Sequence, residues 1–247
     1  MNPFIIIANG PFLDPDIIRE AIQNRQIIAL DGAADKLLAI NIKPDVILGD
    51  FDSIHPQTQA YWGITQTFIA MSEYAKPYMG HHGVKIVPAK DQSTTDLVKA
   101  IQYCDQEQAQ DISIICATGG REDHHEASKQ ALQTEYRANR PIILHSEQQT
   151  LRWAENETVT LQGEEGDHCG FVAHGAGHGH SIGLLYPCHH IPVSLCNRLS
   201  QCDAQITIKG GALLMMPPQL RSQRKHMRVT ESLLLQRLAD IKVLSQP

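Results

Sequence analysis

The chain has 247 residues, 42% hydrophobic and 19% charged, with a formal net charge of −6. This is ordinary for one large folded domain or two modest ones, and the acidic balance argues against a general nucleic-acid binder. No apolar stretch reaches the roughly 20 residues of a membrane span.

Met1-Asn2-Pro3-Phe4 lacks a basic leader, so no signal peptide is expected and the cytoplasm is the default location. The six cysteines form no CxxC pair and read as free thiols. Residues 4–8 are a short apolar run closed by Asn9-Gly10-Pro11, and 16–25 have helical spacing at Ile17, Ile18, Ala21 and Ile22. Residues 27–30 read as a strand ending at Asp31-Gly32, 33–40 as a helix, and 46–48 as a strand leading into Gly49-Asp50. Residues 71–83 read as a loop insertion. Then follow a strand at 84–88, a helix from Asp96 to Cys104, a buried strand at 112–116 before Gly119-Gly120, and a helix at 124–138. Short apolar strands alternating with helices predict an α/β domain with a mostly parallel sheet over 1–145.

From 146 to 218 the pattern changes. Short β-like stretches at 158–161, 170–172, 181–184, 204–208 and 212–216 predict a small all-β sandwich. Residues 219–228, with Arg221, Arg224, Lys225 and Arg228, read as a basic solvated linker rather than an RNA or acidic-partner site. A helix with a stripe at Leu234, Leu238 and Ile241 is expected after Thr230 as its N-cap.

The aspartates fall at the ends of the predicted strands: Asp31, Asp50 and Asp52 in Gly49-Asp50-Phe51-Asp52-Ser53, and Asp91 and Asp96 in Asp91-Gln92-Ser93-Thr94-Thr95-Asp96. In parallel α/β sheets ligands bind there. Two carboxylates two residues apart in an extended segment point to one side and can share a hard cation. Either alone reads equally well as a helix cap; with Asp31 and Asp96, the set points to Mg²⁺. Thr95 or Asp96 caps the next helix, whose N-terminus also suits phosphate oxygens. Gly119-Gly120-Arg121-Glu122-Asp123-His124 supplies backbone freedom, a cation for phosphate oxygens and an acid. Asp123 can orient Arg121, help hold metal or cap a helix; His124 can contact phosphate or stand free in a loop.

His174, His178 and His180, with His168, His189 and His190 nearby, raise the question of zinc. The i, i+4 spacing would suit a helical pair. Gly175, Ala176, Gly177 and Gly179 make a poor helix, so these read as exposed loop histidines.

These motifs resemble the thiamine pyrophosphokinase family, whose Asp-Gly-Gly-Ala-Asn-like, Gly-Asp-Phe-Asp-Ser, Asp-Gln-x-x-Thr-Asp and Gly-Gly-Arg-x-Asp-His segments match 31–35, 49–53, 91–96 and 119–124 in order and spacing. The resemblance implies an α/β catalytic domain, a C-terminal β-sandwich, and a homodimer with thiamine between subunits. It implies Mg²⁺-dependent transfer of pyrophosphate from ATP to the thiamine hydroxyl, giving thiamine diphosphate and AMP. By this resemblance Asp31, Asp50, Asp52 and Asp96 match metal and phosphate positions. Arg121 would offset charge, Asp123 would activate or orient the hydroxyl, and Gln92 would contact the pyrimidine. Ser194-Leu195-Cys196-Asn197 matches the thiamine-contacting Ser-x-Ser-Asn segment with a cysteine in place of the second serine. Ala33 and Asp35 also depart from the family pattern.

Two other readings stay open: a diphosphokinase for a pterin or another hydroxymethyl heterocycle, and a non-catalytic nucleotide or thiamine-phosphate binding protein.

Overall fold

The computed structural model describes residues 2–65 and 76–244. Residues 71–75 of the expected insertion lie outside the described residues, as do the side chains of Leu234, Leu238 and Ile241.

Strands β1 (Pro3–Ile7), β2 (Gln26–Leu30), β3 (Val46–Gly49), β5 (Lys85–Pro88), β6 (Asp111–Ile115) and β7 (Ile142–His145) run parallel in the order β7-β6-β1-β2-β3-β5. The short β4 (Tyr78–Met79) pairs antiparallel with β5 at the edge, followed by a 3₁₀ turn at His81–Gly83. Successive side chains of a strand face opposite sides, so β1 feeds two cores. Phe4 and Ile6 pack with Ile101 and Cys104 of α4 (Asp96–Gln106) and Leu132 of α5 (Glu122–Thr134). Ile5 and Ile7 pack with Ile18 of α1 (Pro15–Ala21), Leu37 of α2 (Ala33–Ala39) and Trp62 of α3 (Pro56–Trp62). Burial on both faces is why these strands are mostly apolar rather than alternating. Each fully buried isoleucine contributes about 1.5–3 kcal/mol.

Residue-level signals set the helix ends. Asp14 accepts from Asp16 N at 2.8 Å before Pro15, and Thr95 caps α4 by accepting from Val98 N at 3.4 Å. The polar α3 shows little periodicity; its signals are Pro56 at the start and Gly63, at φ +75°, after the end.

Beyond β7 the sequence predicts a separate sandwich, but backbone pairing continues unbroken. Leu144 pairs with Leu151 of β8 (Thr150–Glu155), and β8 pairs with the second half of β12 (Asp203–Met216). The first half of β12 pairs with β9 (Thr158–Gln162), and its length with β10 (His168–Ile182), which carries β11 (Val193–Arg198) at the sheet's end. A positive φ of 74° at Gly210 and a register shift between His174 and His178 bend the long strands. They curl around a third core that includes Phe171, Ile206, Ile208 and Leu214. The apparent gaps at 173–180 and 209–211 are therefore bends inside strands. Glycine is required there: a Cβ at Gly179 would lie 2.3 Å from the Phe171 ring.

The C-terminal helix α6 (Arg221–Leu244) starts well before Thr230. The Thr230 hydroxyl donates to His226 O at 3.1 Å, one turn back, so it does not cap. The cap is Glu20 of α1, whose carboxylate accepts from Arg221 N (3.0 Å), Ser222 N (2.7 Å) and Ser222 Oγ (2.5 Å). The basic 219–228 segment is not a linker. Arg224 pairs with Asp167 at 2.5 Å and Arg228 with Glu164, both between β9 and β10. The helix thus ties α1 to the antiparallel end of the sheet. Glu20→Ala is expected to cost about 1–2 kcal/mol, read as a lower midpoint in thermal melting.

Candidate active site

Strand order reverses between β1 and β6, and a crevice opens at their carboxyl ends, as it does at such switch points in general. A cleft of about 800 Å³ lies there. Asp31, Asp50, Asp52, Gln92, Thr95, Asp96, Arg121, Asp123 and His124 all line it, so the structure gathers every predicted site residue of the first half.

Carboxylate oxygens of Asp31, Asp50 and Asp52 lie within 4.8 Å of one another. The cause is not the expected strand alternation. Phe51, between the two aspartates, has φ +66°, so the chain kinks rather than extends. A left-handed residue costs roughly 1–2 kcal/mol. The burial of Phe51, only 1% exposed, contributes about 1.5–3 kcal/mol and holds the kink. Asp52 N donates to Asp50 Oδ1 at 3.3 Å, Ser53 Oγ to Asp52 Oδ1 at 3.0 Å, and Gln92 Nε2 to Asp50 Oδ2 at 3.2 Å. Asp96 stands outside this trio and pairs with Lys99 at 3.0 Å.

Asp31 is 6% exposed, and its Oδ1 has no hydrogen-bond partner. Burial raises its pKa, the Ser53 hydroxyl offsets part of the rise, and the charges of Asp50, Asp52 and Asp96 push it further up. An orphaned buried oxygen in an all-carboxylate donor set fits a hard divalent cation. The linkage has a definite sign. A raised carboxyl pKa means the folded state holds the proton more tightly, an advantage lost as pH rises through the folded value. Ionised Asp31 therefore costs stability at neutral pH when no cation is bound. Asp31→Asn is expected to raise the melting temperature in chelator at pH 7.5 by a few degrees, about 1 kcal/mol. The difference from wild type should shrink as pH falls toward about 3.9, and the stabilisation of wild type by Mg²⁺ should disappear in the variant.

Across the cleft, Arg121 holds Asp123 in a two-pronged pair, Nε to Oδ1 at 3.1 Å and Nη2 to Oδ2 at 2.6 Å. That hydrogen bonding lowers the Asp123 carboxyl to about 2. So weak a base is suited to orienting Arg121 rather than to taking a proton. Gly119 and Gly120 have φ of 79° and 74°, and Gly119 N donates to His125 Nδ1 at 3.2 Å, which fixes the loop ahead of α5. His124 lies exposed at the cleft wall.

The sequence reading missed Lys36, which lines the cleft and donates to Asn9 O (3.1 Å) and Gly10 O (2.8 Å), and Lys99, which also donates to Ala89 O at 2.8 Å. Lys99 was discoverable as the i+3 partner of Asp96 on a helix. The structure does not bring Ser194, Cys196 and Asn197 into the cleft; they sit on β11 at the sheet's far end. Asn197 is 2% exposed and donates to Tyr186 O (2.7 Å) and Ser194 Oγ (3.0 Å) while accepting from Tyr186 N (3.1 Å). Cys196 is exposed, at φ +57°. All six cysteines are free, and no helix among the described residues is long and apolar enough to cross a membrane.

Fold and cleft together define an α/β protein with a carboxylate-lined ligand cleft at the switch point of its sheet. Comparison with known proteins gives the family. The model of the thiamin pyrophosphokinase catalytic domain matches residues 19–144, just over half the chain, and the chain belongs to that family. Thiamine pyrophosphokinase 3 of Oryza sativa subsp. japonica is 31% identical over 144 residues, 54% of this chain and 47% of the rice protein. The chain spans about half the length of the curated relatives it matches. Thiamine pyrophosphokinase from Bacillus subtilis superposes with a TM-score of 0.71 at 22% identity, covering 89% of this chain and all of that one. Thiamin pyrophosphokinase from Candida albicans does so with a TM-score of 0.70 at 18% identity, covering 88% and 89%. At these identities the likeness is one of fold.

Proposed function

We propose that this chain is a thiamine pyrophosphokinase, transferring the pyrophosphoryl group of ATP to the thiamine hydroxyl with release of AMP. The observation that carries this reading is the convergence of Asp31, Asp50 and Asp52 opposite Arg121 at the switch point, in a chain of this family. Asp31, Asp50 and Asp52 would hold Mg²⁺, with Asp96 and Lys99 behind them. Bound Mg²⁺ would supply charge neutralisation on the phosphates. Arg121, oriented by Asp123, would bind phosphate oxygens and offset charge developing on the transferred group. Thr95 opens α4 toward the same cleft, whose N-terminal N–H groups favour anionic oxygens. His124 would add a polar contact, and Gln92 would stay on Asp50 until a pyrimidine displaced it.

In this reading residues 1–145 carry ATP and metal, and 146–218 carry the acceptor. Ser194, Cys196 and Asn197 lie on the edge strand away from the cleft, so a second copy of the chain would supply them. Exposed Ile182, Leu185, Tyr186, Val193 and Leu195 around β11 support a homodimer there. Nothing in the reading requires nucleic acid or a membrane, and the cytoplasm remains its proposed location.

A second reading, a diphosphokinase for a pterin or related hydroxymethyl heterocycle, is favoured by Cys196 and by the internal commitment of the Asn197 amide. Incubation with ATP, Mg²⁺ and thiamine, following AMP and thiamine diphosphate by chromatography, tests both. Matched appearance of the two products supports the first reading. AMP formed only with another acceptor moves it to the second, and nucleotide binding without turnover leaves a binding protein.

A further inference from the structure

His168, His174, His178 and His180 lie on β10 rather than in a loop, while His189 and His190 sit in the segment between β10 and β11. His178 and His180 lie two apart on β10 and so face one side of the sheet. The buried Gly177, Gly179 and Ser181 alternate with them on the other side. Gly179 and Ile191 exchange both backbone hydrogen bonds, at 2.8 and 3.2 Å, which places His190 directly opposite His180. In such a flanking pair the side chains stand close. The next bond, Ser181 N to Cys188 O at 3.1 Å, skips one residue, so His189 is also brought opposite His180. Ring centroids follow this register: His178 to His190 is 5.1 Å, His180 to His189 is 5.3 Å and His180 to His190 is 6.1 Å. Their ring nitrogens carry no hydrogen bond or ion pair among the described residues.

We propose that His178, His180 and His190, with His189 as a fourth donor, form a binding site for a transition-metal dication of the Zn²⁺ class. Two imidazoles from alternate positions of β10 and a third from the segment bridged to it at Ile191 stand on one face of the sheet, with no three of their ring nitrogens within 4.8 Å of one another in the present side-chain positions. A tetrahedral ion at about 2.0–2.1 Å from each nitrogen would require the rings to turn inward about χ1 and χ2 from this spacing. The donor set is imidazole without carboxylate, which suits Zn²⁺, Cu²⁺ or Ni²⁺ and disfavours Mg²⁺. The site is therefore separate in chemistry, and in place, from the carboxylate cleft between β1 and β6.

Titration calorimetry of the full chain with Zn²⁺, in excess Mg²⁺ to occupy carboxylates, tests the proposal. One site per chain is expected, weakened at least about tenfold by His180→Ala and by His190→Ala, since loss of even an outer-shell partner costs 10–100-fold. Asp50→Asn should leave it unchanged. Co²⁺ in place of Zn²⁺ should give visible d–d bands without thiolate charge transfer. No binding, binding indifferent to both histidine substitutions, loss of binding in Asp50→Asn, or a thiolate band from Cys196 or Cys202 would each overturn it. The four histidines are exposed or half-buried, so the substitutions leave the core intact.

Discussion

Asp50→Asn is expected to lower kcat for AMP and thiamine diphosphate formation by about 10²–10³-fold at saturating Mg²⁺. Asp50 belongs to the converged trio and accepts from Gln92, so the substitution removes one full charge from the cation's donor set while keeping the side chain's shape. The fold should not suffer. Asp50 raises the pKa of Asp31 by charge repulsion, and its neutralisation relieves that repulsion. Lost turnover with an unchanged or raised melting temperature is therefore the expected pair of results. A variant that turns over within a few-fold of wild type would sever the acidic trio from the proposed chemistry.

Gly10→Ala should produce the largest loss of stability among single substitutions around the cleft. A Cβ at Gly10 would sit 2.4 Å from Cys116 O and 3.3 Å from Cys116 C, both backbone atoms that no rotamer change can move. This contact lies where β1 and β6 leave the sheet, held by Ala8 N to Ile115 O and Gly10 N to Cys116 O, both at 3.0 Å. Forcing the two exits apart costs about 2–3 kcal/mol, or roughly 4–12 °C for a chain of this size. Lys36, which donates to Gly10 O, would be displaced with it, so nucleotide affinity should fall as well. Gly83→Ala is the control. Its Cβ would meet nothing within 4 Å, and only its φ of +73° opposes the substitution, so a smaller fall of about 1 kcal/mol is expected. Equal melting temperatures for the two variants would show that the Cys116 contact carries no weight.

The parallel half was legible because its strands are buried on both faces. Phe4 to Ile7 is an unbroken apolar run, and Ile112 to Ile115 is interrupted only by the buried Ser113; turn residues mark their ends. Thr95 declared the start of α4. The polar α3 was not visible, since its burial depends on Trp62 reaching a core built by distant strands. The antiparallel half was read as separate short stretches, because glycines at 175, 177, 179, 210 and 211 look like loop residues. Gly177, Gly179, Gly210 and Gly211 are there for close approach, to Phe171 and Trp153 among others, and Gly175 for its φ of +60°, inside strands that run on through the bend.

The sequence by itself determined the chemical inventory of the cleft, down to Asp31, Asp50, Asp52, Asp96 and Arg121, because strand ends and glycine-containing turns are local signals. Only the tertiary structure decided how that inventory converges. The left-handed Phe51 is held by its burial, the order β6-β1-β2-β3 sets which strand ends are neighbours, and pairing to Ile191 turns scattered histidines into one face. The physical reason is common to all three. Each rests on backbone pairing or burial against residues distant in the chain, and such contacts leave no trace in the spacing of neighbours.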